Sequence, residues 1–241
     1  MLFAASLLVV AVLYASVGQA GGTGYIALMG LTGFAPAVIK PTALALNVLV
    51  SAIGTARFAK AGMLTWRTCY PFAILGAPFS VLGGATHLDA SLYRPLVGAL
   101  LIAAALQTLR GRQLADADAI HEPPFLPALM AGAGIGFVSG VTGVGGGIFL
   151  APLVLALRWV EIRQAAAISA VFNLLNSCAA MLGAWATLKF LPSELPLWLL
   201  AVAVGGFAGS WLAVQRLPIQ ALRYLLSALL AMAGARMLLG P

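Results

Sequence analysis

Acidic side chains are scarce in this chain: six Asp and Glu in 241 residues. Asp89, Asp116, Asp118, Glu122, Glu161 and Glu194 all fall between apolar runs or at their edges. Charged residues of both signs make up only 8%, against 62% hydrophobic, where a soluble domain carries roughly 25% charged residues. That leaves too little polar surface to cover a water-soluble particle. Pumps and proton-coupled carriers keep an acidic or histidine relay within the membrane. Here neither acid nor histidine (His87, His121) lies in the middle of an apolar run. The same lack argues against cation transport. HExxH and paired intramembrane carboxylates are missing, and no base accompanies Ser139 or Ser177, so an enzyme is not expected. No cofactor or metal is expected either. The two cysteines, Cys69 and Cys178, match no CxxC or metal spacing and read as small buried hydrophobes. No Lys or Arg precedes the first apolar core, so residues 1–20 do not read as a cleaved signal peptide.

What the chain does have is long apolar runs, near 2–34, 42–59, 68–87, 91–109, 124–157, 164–187, 195–215 and 219–239. Apolar stretches of 17 residues or more are what helices need to cross ~30 Å of hydrocarbon. Barrel strands would be shorter and alternating. The expected class is therefore an all-α polytopic membrane protein. The net charge of +7 comes from 13 Lys and Arg that mostly flank the runs. They read as topology anchors, with an anionic cargo as a compatible second reading and nucleic acid not expected. One markedly polar linker, residues 110–124, divides the chain. The expected organisation is a first repeat at 1–112, a polar loop at 113–123 and a second repeat at 124–241.

The halves resemble one another. A shift of 123 places Gly22 on Gly145, Gly24 on Gly147 and Lys40 on Arg163. A shift of 129 places Gly76 on Gly205, Leu88 on Leu217, Arg94 on Arg223 and Leu100 on Leu229. The first run of each half would make a helix of roughly 50 Å at 1.5 Å per residue, longer than the membrane is thick. Each carries glycines near its middle, at Gly18–Gly24 and Gly140–Gly147. This suggests two shorter helices joined by a break.

The basic residues bear on how each break is used. If every run crosses once, the two sides carry six against seven. If each long run enters and turns back, one side holds Lys40, Arg94, Lys189 and Arg236. The other then holds Arg57, Lys60, Arg67, Arg110, Arg112, Arg158, Arg163, Arg216 and Arg223. Four against nine is the asymmetry expected of positive-inside bias. Each half would then make three crossings, so the halves would be inverted copies with both termini outside the cytoplasm.

A helix break in lipid leaves amide groups to be satisfied, and is tolerated where it lines a cavity. The helix that follows offers free N–H groups and the positive end of its dipole, a setting suited to an anion. Gly22, Thr23, Gly24, Thr142, Gly143, Gly145, Gly146 and Gly147 are the expected anion ligands through backbone amides and hydroxyls. Asn47 with Ser51, and Asn173 with Asn176 and Ser177, recur at helical spacing on the following segments. They would either knit helices together or line the path. Arg57 would snorkel to the interface or counter an anion. The Gly205 and Gly209 pair, at small-xxx-small spacing, reads as helix packing.

Gly21-Gly-Thr-Gly-Tyr25 with Lys40-Pro-Thr-Ala-Leu-Ala-Leu-Asn47, and Gly143-Val-Gly-Gly-Gly147 with Arg163-Gln-Ala-Ala-Ala-Ile-Ser169, resemble the TauE/SafE family of sulfite and organosulfonate exporters. The resemblance covers nearly the whole chain, although the first copy departs from the richer glycine pattern. It implies a multi-pass permease of the bacterial inner membrane that exports a small sulfur-containing or carboxylate anion, as monomer or homodimer in the lipid bilayer. Alternating access between repeats is the expected mechanism. An anion channel and a non-transporting assembly subunit are the alternatives.

Overall fold

Pro36 starts the longest helix among the described residues. Ala35 before it is extended (ψ 142°), as a residue preceding proline prefers, and proline at the first helical position gives up an N–H that has no partner there anyway. The computed structural model describes residues 2–16, 18–110, 122–214 and 220–239. All regular elements in these residues are helices: α1 (Leu2–Ala15), α2 (Gly22–Leu31), α3 (Pro36–Lys60), α4 (Trp66–Ala85), α5 (Ala90–Arg110), α6 (Phe125–Thr142), α7 (Gly147–Ala156), α8 (Ile162–Gly183), α9 (Leu195–Val214) and α10 (Gln220–Leu239). A 3₁₀ turn, Trp185–Phe190, follows α8. Five of these helices are long and apolar enough to cross a membrane: α3, α4, α6, α8 and α9.

Both over-long runs are broken. The first helix ends at Ala15 and the next starts at Gly22, and the second run is interrupted at 143–146. The non-helical stretches are shorter than the glycine clusters suggest, because Gly22 and Gly24 already lie in α2 and Gly140 still lies in α6. α3 begins six residues before the expected 42. Lys40 is thus inside the helix rather than on its flank, and Pro41 is accommodated one turn after the start. Arg163, which the 123-residue shift pairs with Lys40, is exposed where Lys40 is buried. Cys69 is buried, but Cys178 faces outward, contrary to expectation. Its position on α8 turns away from the Asn173–Ser177 face. Most of the polar linker, with Arg112, Asp116, Asp118 and His121, lies outside the described residues, as does Arg216.

Glycine governs the packing. A Cβ on Gly132, Gly136 or Gly140 of α6 would run into the carbonyl oxygens of Phe72, Gly76 or Ser80 on α4. The residue numbers rise together, so α4 and α6 run parallel with their backbones in contact. Ser80 Oγ adds a hydrogen bond to Gly136 O at 2.8 Å. On the other side of the molecule, Gly205 and Gly209 of α9 meet the carbonyls of Leu8 and Val12 on α1, again in parallel. Small residues that allow such approach replace the hydrophobic drive that lipid does not supply.

Two apolar cores result, and they do not follow the halves of the sequence. One joins α1, α2, α3, α5, α9 and α10 around Leu7, Ile26, Leu46, Leu101 and Leu230. The other joins α4, α6, α7 and α8 around Phe72, Leu150, Trp159 and Ile168. α4 thus sits among second-half helices and α9 among first-half helices. Between the cores, α3 and α8 touch through Leu44 with Ala180 and Ala184 at one end, and Phe58 with Ala167 and Ala170 at the other. Phe3, Phe34 and Trp198 stack with centroids 4.8 to 5.8 Å apart, bringing together the starts of α1, α3 and α9. Cys69, Ala128, Val154 and Trp159 bring together the start of α4, the start of α6 and the end of α7.

Candidate functional site

The second break lies between the two cores. Gly143 ends α6 in the left-handed region (φ 82°), its N–H bonded to Ser139 O at 2.8 Å. Gly145 (φ 91°) and Gly146 (φ 84°) are also left-handed, conformations that residues with a Cβ enter at a cost. Gly146 caps α7, its carbonyl accepting from Phe149 and Leu150 N–H at 3.0 and 3.1 Å. Two asparagines tie the break to the neighbouring helices. Asn173 Oδ1 accepts the Gly147 N–H at 2.8 Å. Asn47 reaches over from α3, its Nδ2 donating to Val144 O (3.1 Å) and Gly143 O (3.4 Å). Among the described residues, the N–H groups of Val144, Gly145 and Gly146 find no acceptor.

Gly145 is the tightest point. A Cβ there would lie 2.6 Å from Asn173 Oδ1, 2.8 Å from Asn47 Nδ2 and 3.2 Å from Ser177 Oγ. Asn47, Asn173 and Ser177, from two helices, therefore converge on one main-chain position. Around them stand buried polar atoms with no hydrogen-bond partner: Asn47 Oδ1, Ser177 Oγ, Ser139 Oγ, Ser169 Oγ and both amide atoms of Asn176. Buried polar groups are nearly always paired, so a concentration of unpaired ones calls for an explanation. Ser139 packs beside Gly146, and Asn176 faces Gly76 on α4.

The first break differs. Gly22 is pressed against Val144 O and Asn47 Nδ2, so the two breaks touch. Thr23 Oγ1 is committed to Tyr14 Oη at 2.8 Å. Gly24 packs on Val10 and Tyr14. Ser51 bonds back to the Asn47 carbonyl and lies beside Gly18 and Gln19 rather than at Gly145. Thr142 spends its hydroxyl on Val138 O at 2.7 Å within its own helix. Arg57 stands apart from both breaks, its guanidinium 4.1 Å from the centre of the Phe207 ring on α9.

The structure therefore gathers Gly22, Asn47, Gly143, Gly145, Gly146, Gly147, Asn173 and Ser177 in one buried place. Asn176 lies at its edge, and Thr23, Gly24, Ser51, Arg57 and Thr142 point elsewhere. Ser139 and Ser169 join the cluster without having been singled out as lining residues. Their signal was helical spacing: Ser169 is one turn before Asn173, and Ser139 one turn before Gly143.

Comparison with known proteins decides the class. The family model for the sulfite exporter TauE/SafE matches residues 2–237. The chain belongs to the TauE/SafE family. A probable membrane transporter protein of Sinorhizobium fredii is 52% identical over 233 residues, 95% of this chain and 94% of that protein. A probable membrane transporter protein of Methanocaldococcus jannaschii is 30% identical over 131 residues, covering 53% of this chain and 48% of that protein. No solved structure matches. With its apolar helices, this TauE/SafE member is a multi-pass membrane protein of a transporter family.

Proposed function

We propose that the protein exports a small oxyanion, such as sulfite or an organosulfonate, across the bacterial inner membrane by alternating access. The observation that carries this reading is the second break. It combines unpaired main-chain N–H groups at the start of α7, hydroxyl and amide groups from α3, α6 and α8, and no described carboxylate among its contacts. Main-chain N–H groups at the positive end of a helix suit an anion, and Asn and Ser offer further donors. The cluster is closed off from both ends, with Asn47, Asn176 and Ser177 fully buried. This favours a carrier over a channel with a continuous pore. An inside-negative potential would drive an anion outward without a coupling ion, consistent with the lack of a buried acid among the described residues.

In this proposal the repeats at 1–112 and 124–241 are inverted copies. Two observations support it: the stacking of Phe3 on Phe34, and the shared cluster of Ala128 with Val154 and Trp159. Each suggests that a broken pair returns to the end where it started. The parallel pairs α1 with α9 and α6 with α4 are then equivalent by the same inversion. The end carrying Arg57, Lys60, Arg67, Arg158 and Arg163 would be cytoplasmic. The test is flux of sulfite, thiosulfate, taurine, sulfoacetate, sulfate and acetate into liposomes holding the purified protein. Flux of a sulfur oxyanion that is lost in Gly145→Leu is expected. No flux of any of them, or undiminished flux in that variant, would overturn the reading.

A further inference from the structure

A cavity of about 490 Å³ opens at the end of the bundle where α3 starts, with Ala37, Lys40, His87, Asp89, Tyr93 and Val141 in its wall. Lys40 is only 8% exposed. Its Nζ donates to three main-chain carbonyls at the end of α4, Gly84 O (2.8 Å), Thr86 O (3.1 Å) and Gly83 O (3.2 Å). All of its hydrogen bonds among the described residues go to such neutral oxygens, and no described carboxylate pairs with it. Asp89 shares the cavity but is exposed, where water screens it. The buried ammonium therefore sets the sign of the local field, and a cleft with low-dielectric walls focuses that field. On its inner side the cavity abuts the end of α6, where Tyr93 Oη donates to Thr142 O at 3.0 Å. A Cβ on Gly143 would lie 3.2 Å from Lys40 O and 3.3 Å from Lys40 Cγ. Lys40 stands between the cavity and the second break.

We propose that this cavity is an outer binding station for the transported anion and that the Lys40 charge selects it. A small oxyanion leaving the break would meet Lys40 next, before reaching water. The bland role, a cap on the C-terminus of α4, uses the same three bonds. The two differ in what they need: a cap needs donors, whereas an anion station needs net charge. The inference rests on the transport reading above and is tested separately from it. The measurement is uptake of external sulfite into right-side-out vesicles, read as KM and maximal rate, alongside thermal stability in detergent.

Lys40→Gln is expected to raise KM about tenfold while changing the maximal rate much less, and Lys40→Arg to stay within about threefold of wild type. Ala37 is exposed on the cavity wall, so Ala37→Glu probes the field without touching the α4 cap, and keeps the test valid if Lys40→Gln does not fold. It is expected to raise KM about threefold or more, and Ala37→Lys to lower it. Unchanged KM in Ala37→Glu and Lys40→Gln, with normal wild-type flux, would overturn the outer station alone. So would a loss in Lys40→Gln confined to thermal stability. No wild-type flux of any anion would overturn the transport reading and this one with it.

Discussion

Gly145 shows how little freedom the central residues have. Its left-handed φ and the three polar atoms crowding its missing side chain each demand glycine. Neighbouring residues of similar chemistry are not equivalent to one another. Ser177 Oγ is buried without a partner beside Gly145, whereas the Thr142 hydroxyl is held by Val138 O. Ser177→Ala is therefore expected to raise the KM for sulfite flux by about tenfold, the scale of one hydrogen bond to a charged group. Thr142→Val should stay within about twofold. Measuring both in the same liposomes checks the assignment, and equal losses would count against it. The types and spacing of Asn47, Asn173 and Asn176 were legible because amides in apolar helices are conspicuous. The Thr23 and Thr142 hydroxyls, held by Tyr14 Oη and Val138 O, could not be told apart from free ones, because a hydrogen-bonded threonine has the same sequence as an unpaired one.

At the level of helices, the interruptions could be anticipated from length. A run of more than thirty apolar residues overshoots the bilayer, and glycines mark where it gives way. Their limits were less legible, since a glycine such as Gly140 serves equally well as a break or as a point of backbone contact. Only the partner helix decides, and here the carbonyl of Ser80 does so. The start of α3 was hidden by Lys40-Pro41, which reads as the flank of a span but lies inside it. The glycine row on α6 supplies a direct test. Gly136→Leu would force α4 away and is expected to cost about 3 kcal/mol, seen as a lower melting temperature in detergent. Gly134 has nothing within 4 Å of its Cβ position, so Gly134→Leu should leave melting unchanged.

For the whole molecule, the exchange of α4 and α9 between halves lay beyond the sequence, because pairing between distant apolar helices leaves no local mark. The proposed topology, by contrast, rests on the uneven spread of Lys and Arg, which sequence alone displays. It predicts that single cysteines placed at Glu122 and Glu161 react with impermeant thiol reagents only from the cytoplasmic side. One at Glu194 should react only from outside. The opposite labelling pattern would reverse the orientation, and a mixed one would break the symmetry.

The crossed placement of α4 and α9 means that neither half can complete its own core. Residues 1–112 made alone would leave α1 without the surface that α9 offers, and residues 124–241 made alone would leave α6 without α4. Co-expressed as two chains, they should be recovered together from the membrane, each rescuing the other from proteolysis. If the halves are inverted copies, as proposed, a single copy of the repeat would reach the same packing only as a pair of identical chains inserted in opposite directions.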